Sequence, residues 1–203
     1  MKVKALNRLT VRTFQRHSAS TFHHFDTPTI AITNRQRARR INLLRLKQMT
    51  GALLADLGIE RGEIGVYLVG TLEMSHLNET QLQHAGSTDV IAFDYSACGG
   101  AGCPQPASKP AAIGASHPTL HGEICICVQE AVRQARRFHT TWQSEVVRYL
   151  VHGTLHLLGY DDSRLKARRK MKHEEDRRLR RLSRRFSLAE LGRTAKLPRC
   201  KNR

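Results

Sequence analysis

Within the run HGTLHLLGYDD, residues 152–162, two histidines sit four apart, a glycine comes three later, and a tyrosine leads into paired aspartates. On a helix, His152 and His156 share one face, ~6 Å apart along the axis at a rise of ~1.5 Å per residue. Imidazoles so placed can converge on one Zn²⁺ at ~2.0–2.1 Å each. Gly159 is a natural helix stop, and the turn after it can carry Asp162 back as a third ligand. Three protein ligands with an open fourth position is the catalytic zinc arrangement. A bare H-x-x-x-H is more often a helical pair with no ligand role. Here the pair lies on an apolar helix (Val147, Leu150, Val151, Leu155, Leu158), where uncompensated imidazoles would be costly to bury.

The run also excludes something. Zincin peptidases carry their general-base Glu directly after the first His, and this chain has Gly153 there. The spacing H-x-x-x-H-x-x-G-x-x-D still fits the longer metzincin pattern, with Asp162 where a third His is usual. Gly153 would let backbone or substrate come close to the metal.

The elements that must position these residues can be read from periodicity. TPTIAITN (27–34) reads as a strand and residues 37–57 as a helix closed by Gly58, with a strand over 63–70 and a short helix over 71–83 after it. Strands over 88–95 and 120–128 flank a Gly/Pro/Ala-rich insert, 98–118, whose composition predicts no regular structure. Helices are expected over 129–138, 142–158 and 164–186, the last very charged. The sum is an α+β domain: a small mixed sheet of three to four strands packed with about five helices, a zinc cleft at the end of a central helix, and a basic C-terminal extension. Residues 26–175 form the domain, with basic segments 1–25 and 176–203 on either side.

Net charge is +17, and its distribution is uneven. Residues 1–25 hold five basic residues and no acid, and residues 164–203 hold seventeen basic and four acidic ones. The stretch between is close to neutral, with 12 basic and 13 acidic residues. Cationic ends of this kind fit a polyanion partner, nucleic acid first. A solubilising tail is the plainer reading. Five cysteines (98, 103, 125, 127, 200) have no framework spacing, which fits a reducing compartment. No apolar run is long enough for a membrane span. A cytoplasmic location is expected, with an organelle transit peptide in 1–25 as the alternative.

Two separated blocks carry a resemblance. HGTLHLLGYD (152–161) is similar to the signature of the YbeY family of rRNA maturation factors, usually HGxLHLxGYDH. HLNETQLQHAGSTDVIAF (76–93) resembles that family's LN…TDVLSF segment. Leu120, Gly122, Glu123 and Ile124 resemble its LGDI strand, and Met171, Glu174 and Glu175 its closing helix. The resemblance implies an α+β metalloprotein with one zinc. It also implies single-strand-specific endoribonuclease activity, processing of the small-subunit rRNA 3′ end, and a part in ribosome quality control.

Two positions depart from the pattern. Asp162 stands where the family has its third His, and a carboxylate should leave a bound water less acidic. The Tyr-Arg pair expected in the first block, whose arginine contacts phosphate, is Gln81-Leu82 here, and Leu cannot donate to a phosphate oxygen. Either another basic residue substitutes, His84 being near in sequence, or the chain binds RNA without cutting it. Glu123 and Asp161 are the nearest general-base candidates, each with an alternative as a strand-end or capping carboxylate. Arg164, Lys166, Arg168 and Arg169 are the expected phosphate contacts. The rival functions are a non-catalytic RNA- or ribosome-binding assembly factor with a structural zinc, and a metzincin-like metallopeptidase.

Overall fold

A computed structural model describes residues 27–81, 83–96, 105–106 and 119–192. The chain runs β1 (Thr29–Asn34), α1 (Leu43–Asp56), β2 (Arg61–Val69), α2 (Thr71–Gln81), β3 (Val90–Asp94), β4 (Gln105–Pro106), β5 (Thr119–Cys127), α3 (Val128–Arg137), α4 (Trp142–Leu157) and α5 (Leu165–Arg185). A 3₁₀ turn at Leu188–Gly192 completes it. The sheet order is β1-β2-β5-β3-β4, with β1, β2 and β5 parallel and β3 antiparallel to both β4 and β5. The expected mixed α+β architecture is therefore present. The insert departs from expectation at one point, where Gln105–Pro106 pairs with Phe93 and Asp94 as a two-residue edge strand.

Alternation along the strands creates two unlike faces. Ile64, Val66 and Leu68 of β2 and Ile124 and Ile126 of β5 join the main core with buried residues of α1 and α4. Tyr67, Val69, Ile91, Phe93, Cys125 and Cys127 point the other way and pack with Met74 and Leu77 of α2. Both Cys125 and Cys127 are buried free thiols, and burial pushes the Cys125 thiol pKa up. The other three cysteines lie outside the described residues.

The first helix begins later than its apolar spacing suggests. Gln36 hydrogen-bonds the backbone of Arg39 in both directions, and Asn42 then caps the helix by accepting from Arg45 N at 3.0 Å. At the other end of the chain α5 runs without a break across residue 176. Its inward stripe is Met171, Glu175, Arg178 and Leu182, and Leu191 of the final 3₁₀ turn is buried in the main core. Arg178 and Arg181 both bond Asp56 at the end of α1.

Two glycines set how deeply α4 sits. A Cβ at Gly153 would lie 2.7 Å from Ile124 Cγ2 and 3.2 Å from Val90 Cγ2, and one at Gly122 would lie 2.6 Å from the Phe93 carbonyl and 2.8 Å from Leu157 Cδ2. Gly153 thus faces the sheet, which corrects the expectation that it opens space beside a metal. Because Leu157 comes directly after His156, the Gly122 contact also fixes the end of α4 that carries the histidines. Gly122→Ala is expected to lower unfolding stability by about 1–3 kcal/mol through overpacking, read as a reduced urea midpoint with an unchanged slope.

Candidate metal centre

His152 and His156 project from the last two turns of α4, and the way this helix ends places the Asp162 carboxylate beside them. Gly159 takes φ +79°, its N–H donates to the His156 carbonyl at 2.8 Å, and Tyr160 N–H reaches back to the Leu155 carbonyl at 3.0 Å. This is the double hydrogen bond of a Schellman terminus, which needs a residue at ease in the left-handed region. The reversed chain brings Asp162 to the histidines. One ligand atom from each of His152, His156 and Asp162 lies within 4.8 Å of the other two. The two Nε2 atoms are 3.0 Å apart, and His152 Nε2 is 4.0 Å from an Asp162 carboxylate oxygen.

The remaining ring nitrogens decide whether this set suits a cation. His156 Nδ1 lies 3.1 Å from the Tyr160 carbonyl, which can only accept. His152 Nδ1 lies 3.0 Å from Glu175 Oε2. Burial works to raise the Glu175 pKa, but hydrogen bonds from His152, Lys172 and Arg148 outweigh it and hold the group down to about 2. Each Nδ1 therefore carries its proton, and in the neutral imidazoles each Nε2 presents a bare lone pair toward the other. Burial first, and then the neighbouring His152, lower the pKa of His156 and favour its neutral form. Two lone pairs 3.0 Å apart repel unless something positive lies between them. Two ~2.0–2.1 Å bonds at a tetrahedral angle would set such nitrogens about 3.4 Å apart. The donor set fits a divalent ion of the zinc type, with Asp162, half exposed, able to swing inward.

Glu175 is the site residue that local spacing could not supply. It lies 23 positions beyond His152, and Arg148, one turn before His152, bonds both Glu175 at 2.7 Å and Asp176 at 3.2 Å. The readable signal is its place on the inward stripe of an otherwise solvated helix. A carboxylate behind a metal-binding His fixes its tautomer and raises its basicity.

The other expected site residues are dispersed. Glu123 is buried on the opposite face of the sheet, aligned with Phe93 and accepting hydrogen bonds from the Tyr67 and Tyr95 hydroxyls at 3.1 Å each. The sheet separates it from the histidines. Asp161 is exposed, and its carboxylate accepts from Ser163 N and Oγ at 2.8 and 2.7 Å, the capping role of a turn. Arg164, Lys166, Arg168 and Arg169 are exposed at the start of α5, and Arg168 Nε bonds the Asp162 carbonyl at 2.9 Å. His84 is exposed in the loop after α2, and Leu82 lies outside the described residues.

A helix-borne His pair, closed by a tight turn and a carboxylate, is a donor set of the kind that can hold a metal ion, here beside an α+β sheet. The chain belongs to the YbeY family: the profile described as Endoribonuclease YbeY matches residues 31–183. Similar proteins include Endoribonuclease YbeY of Chlorobium phaeovibrioides, 30% identical over 75% of this chain and 89% of that one. Endoribonuclease YbeY of an Anaeromyxobacter species is 33% identical over 72% of this chain and 68% of its own. Among solved structures, the solution structure of TM1509 from Thermotoga maritima shares the fold. Its TM-score is 0.55 at 22% identity, covering 84% of this chain and all of the other.

The depressed Glu175 gives a signed expectation. A carboxylate whose pKa falls on folding stabilises the native state above about pH 4.5, and that contribution is lost as pH drops toward 2. A shift of this size corresponds to about 3 kcal/mol. Wild type should therefore lose stability steeply between pH 4.5 and 2, whereas Glu175→Gln should be less stable at pH 7 and show a flatter slope in that window, measured by urea denaturation at several pH values.

Proposed function

We propose that this chain is a zinc-dependent endoribonuclease that cuts single-stranded RNA in rRNA maturation, at the 3′ end of the small-subunit RNA, and takes part in ribosome quality control in the cytoplasm. The observation that carries the reading is the pair of Nε2 atoms facing each other beside Asp162 in a member of this family. His152, His156 and Asp162 would hold one Zn²⁺ per chain. Bound there, zinc would supply Lewis acidity toward a phosphate oxygen and a lowered water pKa.

The chain's own groups do the positioning. Glu175 and the Tyr160 carbonyl hold the two Nδ1 protons, so both Nε2 atoms remain ligands. Arg148 and Lys172 keep Glu175 ionised, and the Schellman turn fixes the distance from His156 to Asp162. Arg164, Lys166, Arg168 and Arg169 lie within a few residues of Asp162 and would take backbone phosphates on either side of the cut, with His84 as a further contact. Glu123 lies beyond the sheet and Asp161 accepts from Ser163, which favours a strand-end and a capping role for these two carboxylates. No helix among the described residues is long and apolar enough to cross a membrane.

Wild type is expected to carry about one zinc per chain and to cut a single-stranded rRNA fragment. His152→Ala/His156→Ala should lose both while still binding RNA through α5, with an affinity that falls steeply as salt rises. Zinc without cleavage in wild type would instead mark a binding or assembly factor, and activity on casein but not RNA would mark a peptidase.

A further inference from the structure

The three acids of α5 are all engaged. Glu175 and Asp176 pair with Arg148 of α4 and with Lys172, and Glu174 pairs with Arg177 and Arg178. Eleven Lys and Arg stand against these three acids along the helix, so most of its positive charge is left over. That surplus is ordered. Opposite the buried stripe of Met171, Glu175, Arg178 and Leu182, a second row recurs at spacings of three and four: Lys170, His173, Arg177, Arg180 and Arg184. All five are exposed. Lys170, Arg180 and Arg184 have no acidic partner among the described residues, and Arg177 has Glu174 alone.

Two features set this row apart from the phosphate contacts beside Asp162. Like charges three and four apart on a helix repel, so the row weakens the helix that carries it and gains nothing from folding alone. At 3.6 residues per turn it also faces away from Glu175, which holds His152. The helix body, about 10–12 Å across with its side chains, lies between. The row is therefore placed for a different stretch of polyanion from the one at the histidines.

Its shape selects the kind of polyanion. Lys170 to Arg184 spans ~21 Å along one straight face. Surfaces that follow a single strand combine cations with aromatic rings on which bases stack. This row carries no Phe, Tyr or Trp. A duplex has its bases already stacked, is stiff enough to lie along a straight row, and is recognised largely through phosphates and 2′-hydroxyls.

We propose that the outward row of α5 from Lys170 to Arg184 is a docking rail for double-stranded RNA, holding a stem that adjoins the single strand presented to His152 and His156. The link to that strand rests on the endoribonuclease reading, whereas the duplex contact does not.

The full chain with zinc is given a single-stranded RNA, the same strand joined to a hairpin stem, and the hairpin alone. Binding is followed by fluorescence anisotropy over a range of salt, and cleavage as separate kcat and KM. Wild type should bind the hairpin alone, and should cut the joined RNA with a KM about tenfold or more below that of the bare strand at the same kcat. Arg180→Gln/Arg184→Gln removes two phosphate contacts, so the logarithmic salt slope for the hairpin should shrink by about 2. It should raise KM for the joined RNA only, leave kcat unchanged, and keep or raise Tm without RNA, since two like charges are gone. Arg180→Lys/Arg184→Lys should retain hairpin binding, because Lys meets phosphate as a point charge. Hairpin binding that is absent in wild type, unchanged in Arg180→Gln/Arg184→Gln, or matched by polyglutamate of equal charge would overturn the rail. Cleavage of both RNAs with equal KM would overturn it too and leave the endoribonuclease reading in place. If hairpin binding depends on the row but neither RNA is cut, the duplex site stands and the endoribonuclease reading falls.

Discussion

The close approach of α4 to the central strand of the sheet is the contact on which the rest of the centre depends. Helix and strand meet through Gly153 and Gly122, where neither has room for a Cβ, and interiors packed at crystal-like density pass such a constraint on with little give. The helix end, the Schellman turn and Asp162 are therefore referenced to β5 and not to a loop. A site built on regular elements holds its ligand geometry more tightly than one built on loops.

Much of the centre is legible in the sequence because the determining interactions are local. The i, i+4 histidines, the glycine stop and the carboxylate three residues later lie on one helix and its cap, where spacing and geometry are nearly the same statement. Strands are readable from alternation, with boundaries shifted by a residue or two. The purpose of Gly153 is hidden because it depends on what lies opposite, here Ile124 and Val90, and the sequence does not say which strands a helix covers. The place of Glu123 is hidden for a related reason: its face depends on pairing register, and one residue of register exchanges the two sides of a sheet. Glu175 is legible only as part of a motif, since its partnership with His152 and Arg148 spans more than twenty residues of chain.

Charge serves two purposes in α5. Its outward side is a solvated run of arginine and lysine, the kind of surface that meets phosphate. Its inward stripe uses Glu175 to hold the His152 imidazole and Arg178 to bond the end of α1 through Asp56. A mainly basic helix is thus anchored at Glu175 and one turn later at Arg178 by part-buried ion pairs. Such pairs are weak contributors to net stability but are strongly destabilising when one partner is removed.

The turn at Leu188–Gly192 has a consequence in the order of synthesis. Leu191 is fully buried, its carbonyl accepts from Asn42 N at 2.8 Å, and Arg45 of α1 pairs with Glu190. An early helix is thus completed by nearly the last described residues, and the carboxylate behind His152 also arrives late, at position 175. Chains grow from the N-terminus at ~5–20 residues per second, so for several seconds a nascent chain would hold both histidines without the segment that orients and seals them. Support for the histidines is deferred until position 191 has been made, and a chain that stopped between Asp162 and Glu175 would hold His152, His156 and Asp162 without the frame around them.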